Sequence, residues 1–243
     1  MTDKGKIRRS NQDYFSIRRC EAKACSVIAL CDGLGGSSGG ENASEISTRT
    51  FVEYVFSKLT SRTNKNPNYK NVLLNACFSA NETVYDYSQF DPELNQMGTT
   101  IVGGIVEDGG LVRMINVGDS RAYLISNDFG ITQITTDHSL VEDLVKSGVI
   151  SREKARTHPQ KNIITRAVGT DPEVQADYYE FNLAPGDMLL LCSDGLSNYV
   201  TEEEMLAGYK LDADPEIFCR NMLALTFEKG AGDNVTIISM VNE

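Results

Sequence analysis

The sequence predicts an α+β protein arranged as a layered sandwich. Two long helical patterns follow one another between residues 41 and 88, and from residue 98 the chain turns to short apolar strands joined by tight turns. Strands that come in runs, apart from paired helices, pack as layers and not as alternating βαβ units. The 243-residue chain has no Pro/Ser/Gly linker, low-complexity tract or internal repeat, so one domain over residues 1–243 is expected.

The elements follow in order. Val27-Ile28-Ala29-Leu30-Cys31 is an apolar run that ends at Asp32-Gly33 and reads as a buried strand. Residues 41–59 form a helix, with Ile46, Phe51, Val55 and Leu59 at helical spacing. Residues 64–68, with Pro67, break the pattern. A second helix covers residues 69–88, with Val72, Leu73, Ala76, Ala80, Val84 and Tyr87 along one side, so the two helices suggest an antiparallel pair on a sheet. Strands at 99–106 and 111–117 flank Asp108-Gly109-Gly110, and strands at 121–125 and 131–134 flank Asn127-Asp128; both are hairpin signals. Residues 138–165 are more polar, with a short helix around Leu140, Leu144 and Val145 that His158-Pro159 brings to an end. The turn Pro185-Gly186-Asp187 enters a strand at 188–192. Asp214 caps a helix with Pro215 in its first turn, and Gly230 ends it. A strand at 235–241 closes the chain.

Lys and Arg number 23 against 34 Asp and Glu, a net charge of −11. Such a chain repels phosphate backbones and anionic headgroups, so no nucleic-acid partner is expected. No apolar run reaches 18 residues, and the basic N-terminus has no apolar stretch behind it, so neither membrane insertion nor a signal peptide is expected. The six cysteines (Cys20, Cys25, Cys31, Cys77, Cys192, Cys219) form no C-x-x-C pair and read as reduced core thiols of a cytoplasmic protein.

The chemistry lies in aspartates at strand ends. Ala29-Leu30-Cys31-Asp32-Gly33-Leu34 and Leu191-Cys192-Ser193-Asp194-Gly195-Leu196 echo one another: each delivers a carboxylate and then a glycine. Gly232-Asp233-Asn234-Val235 enters a strand, Val117-Gly118-Asp119-Ser120-Arg121 lies between two strands, and Asp3 and Asp13 add carboxylates near the N-terminus. A single Asp-Gly is by default a turn, and Asp108, Asp128 and Asp171 read that way. A turn does not explain apolar strands running straight into Asp32 and Asp194. Carboxylates at about 4 Å repel by roughly 4 kcal/mol per pair at an effective dielectric of 20. Divalent cations or large pKa shifts relieve that. Oxygen-only donors favour Mg²⁺ or Mn²⁺ over Zn²⁺.

These segments resemble the metal-dependent type 2C protein serine/threonine phosphatases in their compact bacterial form. The resemblance runs in order through Gly5-Lys6-Ile7-Arg8-Arg9-Ser10-Asn11-Gln12-Asp13, Asp32-Gly33-Leu34-Gly35-Gly36, Gly40-Glu41-Asn42-Ala43-Ser44 and Met97-Gly98-Thr99-Thr100. It continues through Val117-Gly118-Asp119-Ser120-Arg121, Thr136-Asp137-His138-Ser139, Asn162-Ile163-Ile164-Thr165-Arg166-Ala167-Val168-Gly169, Ser193-Asp194-Gly195-Leu196 and Gly232-Asp233-Asn234-Val235-Thr236. It implies a four-layer αββα sandwich: two antiparallel sheets face to face, with a helix pair on each outer side. It implies two, or three, Mn²⁺ or Mg²⁺ ions at one end. Asp32 and the Gly33 carbonyl bind there with Asp194 and Asp233; Asp13 acts through water; Asp119 joins Asp194 at a third position; and Arg8 grips the substrate phosphate. Residues 138–165 match a mobile flap. The implied reaction is hydrolysis of phosphoserine and phosphothreonine by a metal-bridging hydroxide. The implied partners are phosphoproteins, including a cognate kinase, and the family default is a monomer.

Three positions depart from the pattern. Gln12 stands where many members carry Glu, and adds no charge. Leu34 stands where animal members carry a histidine proposed as general acid, and Leu donates no proton. Ser37 replaces a common histidine. The short N-terminus suggests a truncated first strand that holds Asp13 and Arg8 loosely. His138 and His158 read as structural or flap residues, Arg121 and Arg166 as ion-pair braces, and the basic residues of 146–161 as a solvated flap face. Gly33-Leu34-Gly35-Gly36 lacks the Lys-Ser/Thr of a P-loop, and Ser139 and Ser193 lack a nucleophile-elbow context. Two alternatives stay open: a pseudophosphatase docking module, which the filled aspartate positions disfavour, and a phosphatase of small phosphorylated molecules.

Overall fold

Two strands explain the architecture through their periodicity. In β3 (Cys25–Leu34) Val27, Ala29 and Cys31 are buried in one apolar cluster, and Ile28 and Leu30 in another. In β10 (Met188–Cys192) Met188, Leu190 and Cys192 face one cluster, and Leu189 and Leu191 a second. Successive side chains of a strand point to opposite faces, so a strand apolar at every position is covered on both faces. The cluster shared by β3 and β10 lies between two sheets; the others lie under helices.

The computed structural model describes residues 1–35, 39–62, 67–90 and 97–242. Gly36, Ser37 and most of the predicted break at 64–68 lie outside them. In the first sheet β2 (Asp13–Cys20), β3, β5 (Ile101–Glu107), β6 (Leu111–Val117) and β9 (Asp177–Asn182) pair in that order, while β4 (Gly98–Thr99) pairs with the end of β3. The second sheet runs β1 (Thr2–Asp3), β11 (Val235–Val241), β10, β7 (Arg121–Ser126), β8 (Gly130–Gln133). All these pairings are antiparallel. Helices α1 (Gly39–Leu59) and α2 (Tyr69–Phe90) bury Phe51, Val55, Leu73 and Val84 against the first sheet. Helices α6 (Glu202–Leu211) and α7 (Pro215–Glu228) bury Met205, Tyr209, Phe218 and Met222 against the second. The expected four-layer αββα sandwich is therefore present. The six cysteines are free and buried.

Strand β9 and helices α4 (Arg152–Arg156), α5 (Asp194–Ser197) and α6 are among the elements that sequence reasoning overlooked. Strand β9 is half exposed and mixes Asp and Glu with aromatic residues, so it shows no apolar run; only Tyr179 and Phe181 reach the inter-sheet core. Helices α4 and α5 are too short to show a period. Helix α6 did carry a signal: Thr201 and Glu204 form a reciprocal capping box.

The expectation of a loose first strand is corrected. All eight residues of β2 pair with β3 from Asp13↔Asp32 to Cys20↔Cys25. The N-terminus is tied down as well: the Met1 ammonium donates to the Ile237 carbonyl at 2.7 Å, and Lys6 N–H to the Ala231 carbonyl at 2.8 Å.

A candidate metal centre at one end of the sandwich

The strand ends converge. Asp32 continues the inter-sheet face of Ile28 and Leu30 and lies directly opposite Asp13 across the β2–β3 ladder. Its backbone is gripped on both sides: Asp32 N–H donates to Thr100 Oγ1 at 2.9 Å, and Thr99 Oγ1 donates to the Asp32 carbonyl at 2.8 Å. Asp194 opens α5 directly after β10, and Asn198 Nδ2 donates to its Oδ2 at 2.9 Å. Asp119 sits where the chain crosses from β6 in one sheet to β7 in the other. Asp233 precedes β11 and accepts from Arg8 Nη2 at 2.7 Å. Gly33 is demanded by crowding: a Cβ there would stand 2.1 Å from the Gly40 carbonyl oxygen and 2.6 Å from that of Gln12. Asp3 lies in β1, where its Oδ1 accepts from Gly5 N–H at 2.9 Å.

The five carboxylates feel one another. Burial pushes Asp13 up to about 7, with Asp194 and Asp233 adding repulsion. Burial and then Asp194 push Asp119 up to about 8. Burial and Asp233 push Asp194 up to about 6, against a hydrogen bond with Asp32 that lowers it. Asp32 is raised well above the usual carboxylate range by burial, then by Asp13 and Asp194. Protons relieve this repulsion at and below neutral pH, and bound positive charge would relieve it above.

The donor set fits divalent ions. Asp13 is buried, 6% exposed; its Oδ2 accepts from Ser193 Oγ at 2.8 Å, while its buried Oδ1 has no hydrogen-bond partner among the described residues. Among those residues no three acidic, histidine or cysteine side chains close into a ready cage. Mg²⁺ and similar hard ions need none, because they bind through one or two carboxylates and keep several waters. Asp32, Asp194, Asp233 and Asp119, with the Gly33 carbonyl, supply oxygen donors and no nitrogen or sulfur, and Leu34 adds no proton donor.

Comparison with known proteins agrees with this fold. The family model described as protein phosphatase 2C matches residues 6–224. The chain belongs to the protein phosphatase 2C family. It is 35% identical over 241 residues to the serine/threonine phosphatase stp of Listeria innocua, covering 98% of this chain and 92% of that one. The serine/threonine phosphatase Stp1 of Staphylococcus aureus superposes with a TM-score of 0.91 at 37% identity, covering 100% of this chain and 93% of that one. The catalytic domain of the phosphatase PstP in complex with two manganese ions gives a TM-score of 0.82 at 28% identity, covering 100% and 96%.

Within this phosphatase 2C frame, several bracing residues escaped sequence reasoning. Ser193 is one: its Oγ donates to Asp13 and accepts from Thr236 N–H at 3.0 Å, so it joins β2 to the second sheet. Thr100 Oγ1 also bonds Ser120 Oγ at 2.7 Å, linking the Asp32 strand to the Asp119 turn. The quoted motifs contained these residues, but a hydroxyl next to a motif aspartate carries no signal of its own. Arg121 pairs with Asp137 at 2.7 Å and Arg166 with Asp177 at 3.0 Å, so both act as braces. On residues 138–165 Arg152 pairs with Glu142, while Lys161 donates to Asn198 Oδ1 at 3.1 Å. A cavity of about 260 Å³ opens between this segment, Asp119 and Asp194.

Asn234 holds the N-terminal loop. Its buried amide donates to the carbonyls of Lys4 and Ser10, both at 2.9 Å, and accepts from Gln12 N–H at 2.9 Å. Asn234→Ala is expected to destabilise the protein by about 2–3 kcal/mol, because three backbone groups lose their partner. Urea unfolding measures it; an unchanged midpoint would contradict the bracing role.

Proposed function

We propose that this chain is a Mn²⁺- or Mg²⁺-dependent serine/threonine phosphatase whose metal centre is the cluster of Asp32, Asp194, Asp233, Asp119 and Asp13 with the Gly33 carbonyl. The observation that carries it is the convergence of five aspartates from both sheets on one end, four of them raised by burial. Divalent ions held by these residues would lower the pKa of a bound water towards neutrality and offset phosphoryl charge.

The protein's own groups do the rest. Asp32 and Asp194 stand within hydrogen-bond reach and present oxygens from opposite sheets. Asp13 stays in the outer layer, fixed by Ser193, and orients through water. Arg8 leans on Asp233 at the rim with its side chain about half exposed, so its guanidinium is placed to take two phosphoryl oxygens bidentately. Leu34 leaves the leaving oxygen without a side-chain acid at that position, so its proton comes from water at the centre or from a nearby acid. Residues 138–165 form a flap over the cavity beside Asp119 and Asp194, within a single domain spanning the chain. The substrates are phosphoproteins, including a cognate kinase, and the enzyme works as a monomer; both follow from the family resemblance. No helix is long and apolar enough to cross a membrane among the described residues, and six free thiols support a reducing cytoplasmic setting.

The test is hydrolysis of a phosphothreonine peptide with Mn²⁺, with EDTA, and against a nucleotide monophosphate. Turnover of the peptide that EDTA abolishes is expected. Faster hydrolysis of the nucleotide would move the substrate to small molecules, and binding of the peptide without turnover would make the chain a docking module. Arg8→Ala is expected to raise KM about tenfold or more with kcat little changed, the size of a lost charge-assisted hydrogen bond. A fall in kcat at constant KM would place Arg8 in the chemical step instead.

A further inference from the structure

We propose that His138 is a positioning residue that couples both ends of the flap to the turn carrying Asp119. The inference rests on the metal-centre reading above and assigns a role to a residue outside the donor set.

His138 is 4% exposed, and its contacts run in three directions. The Gly118 peptide is held on both of its sides: Gly118 N–H donates to His138 Nδ1 at 3.1 Å, and His138 N–H donates to the Gly118 carbonyl at 2.9 Å. Gly118 is thereby fixed next to Asp119 at φ +102°, where a Cβ would stand 2.5 Å from Thr100 Cγ2. Within the chain His138 opens the flap, and its carbonyl accepts from Thr165 N–H at 2.8 Å at the flap's other end. Ser139 pairs with Ile164, and Leu140 N–H donates to the Ile163 carbonyl at 2.9 Å, so the flap's two ends are zipped together just beyond the ring. On the far side Nε2 lies 3.2 Å from Asp177 Oδ2.

These contacts define the tautomer. Nδ1 accepts from a backbone N–H and carries no proton, so the proton of the neutral ring is on Nε2 and goes to Asp177. Arg166 Nη1 lies 3.1 Å from Nε2 but is itself a donor, and its hydrogen bond goes to Asp177 Oδ1 at 3.0 Å. Burial lowers the pKa of the ring and keeps it neutral. A ring protonated at Nδ1 would set two donors against each other at Gly118. The Gly118–Ser120 turn is thus gripped from one side by Thr100 and from the other by His138, and a displaced flap moves the peptide next to Asp119.

Two substitutions separate this role from simple packing. An Asn amide oxygen falls near the place of Nδ1, whereas a Gln amide reaches the place of Nε2. His138→Gln is expected to weaken Mn²⁺ binding about tenfold by calorimetry, the size of one lost buried hydrogen bond. His138→Asn should stay within about threefold of the natural protein. Amide hydrogen exchange should rise at Gly118 and Thr165 together in His138→Gln only. Equal Mn²⁺ affinities for the two variants would overturn the proposal, as would exchange that rises at one of the two amides alone. Absence of Mn²⁺ binding by the natural protein would instead overturn the metal-centre reading. Nitrogen NMR of the metal-free natural protein tests the same contact without any variant: Nδ1 should resonate as the unprotonated nitrogen, and a protonated Nδ1 would refute the assignment.

Discussion

Asp32→Ala is expected to lower kcat/KM on a phosphothreonine peptide by about a thousandfold or more, the scale of losing a central electrostatic group. Asp32 stands opposite Asp13 in the ladder and is raised by burial and then by repulsion from Asp13, Asp194, Asp119 and Asp233. Its backbone is carried by Thr99 and Thr100 independently of its side chain, so the strand keeps its place. The same substitution should leave the metal-free protein as stable as before, or more so, because a desolvated carboxylate among like charges costs free energy in the fold. Activity and stability are therefore expected to move apart. More than a tenth of the original turnover in Asp32→Ala would contradict the assignment, and so would loss of the fold.

The second large effect is the pH dependence of stabilisation by metal. In the metal-free protein Asp194, Asp13 and Asp119 hold their protons up to about 6, 7 and 8. In the unfolded chain they lose them near the ordinary aspartate value. Between about pH 4 and pH 8 the folded state thus binds more protons than the unfolded state, and stability falls as pH rises. Below that window both states are protonated and the penalty is absent. A divalent ion displaces the protons and supplies the charge instead. Mn²⁺ at one hundred times its Kd adds about 2.7 kcal/mol at a single site. The rise in melting temperature on adding Mn²⁺ should be small at pH 5 and several-fold larger at pH 8. An equal rise at both values, or a metal-free protein that grows more stable from pH 5 to pH 8, would contradict the repulsion between these carboxylates.

Much of the fold was legible because burial on two faces leaves a mark in one dimension. The runs at 27–31 and 188–192 are apolar at consecutive positions, and each proved to be an interior strand covered on both faces. The helices under the first sheet showed their period over about twenty residues each. Strand β9 stayed hidden because an edge strand buries alternate aromatics and exposes charges, a pattern shared with loops. In the site the aspartates were visible as carboxylates placed where apolar strands stop. Their braces were not, because Ser193, Thr100 and Asn234 act through contacts across 180, 68 and 222 residues of chain. The N-terminal loop misled for the same reason: its length suggested slack, while Asn234 and the Met1 ammonium take that slack up from the far end of the sequence.

The central claim is that the aspartate cluster binds the catalytic ions. Anomalous diffraction at the manganese edge, from crystals grown with Mn²⁺, tests it most directly. At least two anomalous peaks are expected, one beside Asp32 and the Gly33 carbonyl and the other beside Asp32, Asp194 and Asp233. Peaks elsewhere, with the Asp32–Asp194 contact intact and Arg8 still on Asp233 in the presence of Mn²⁺, would contradict the account.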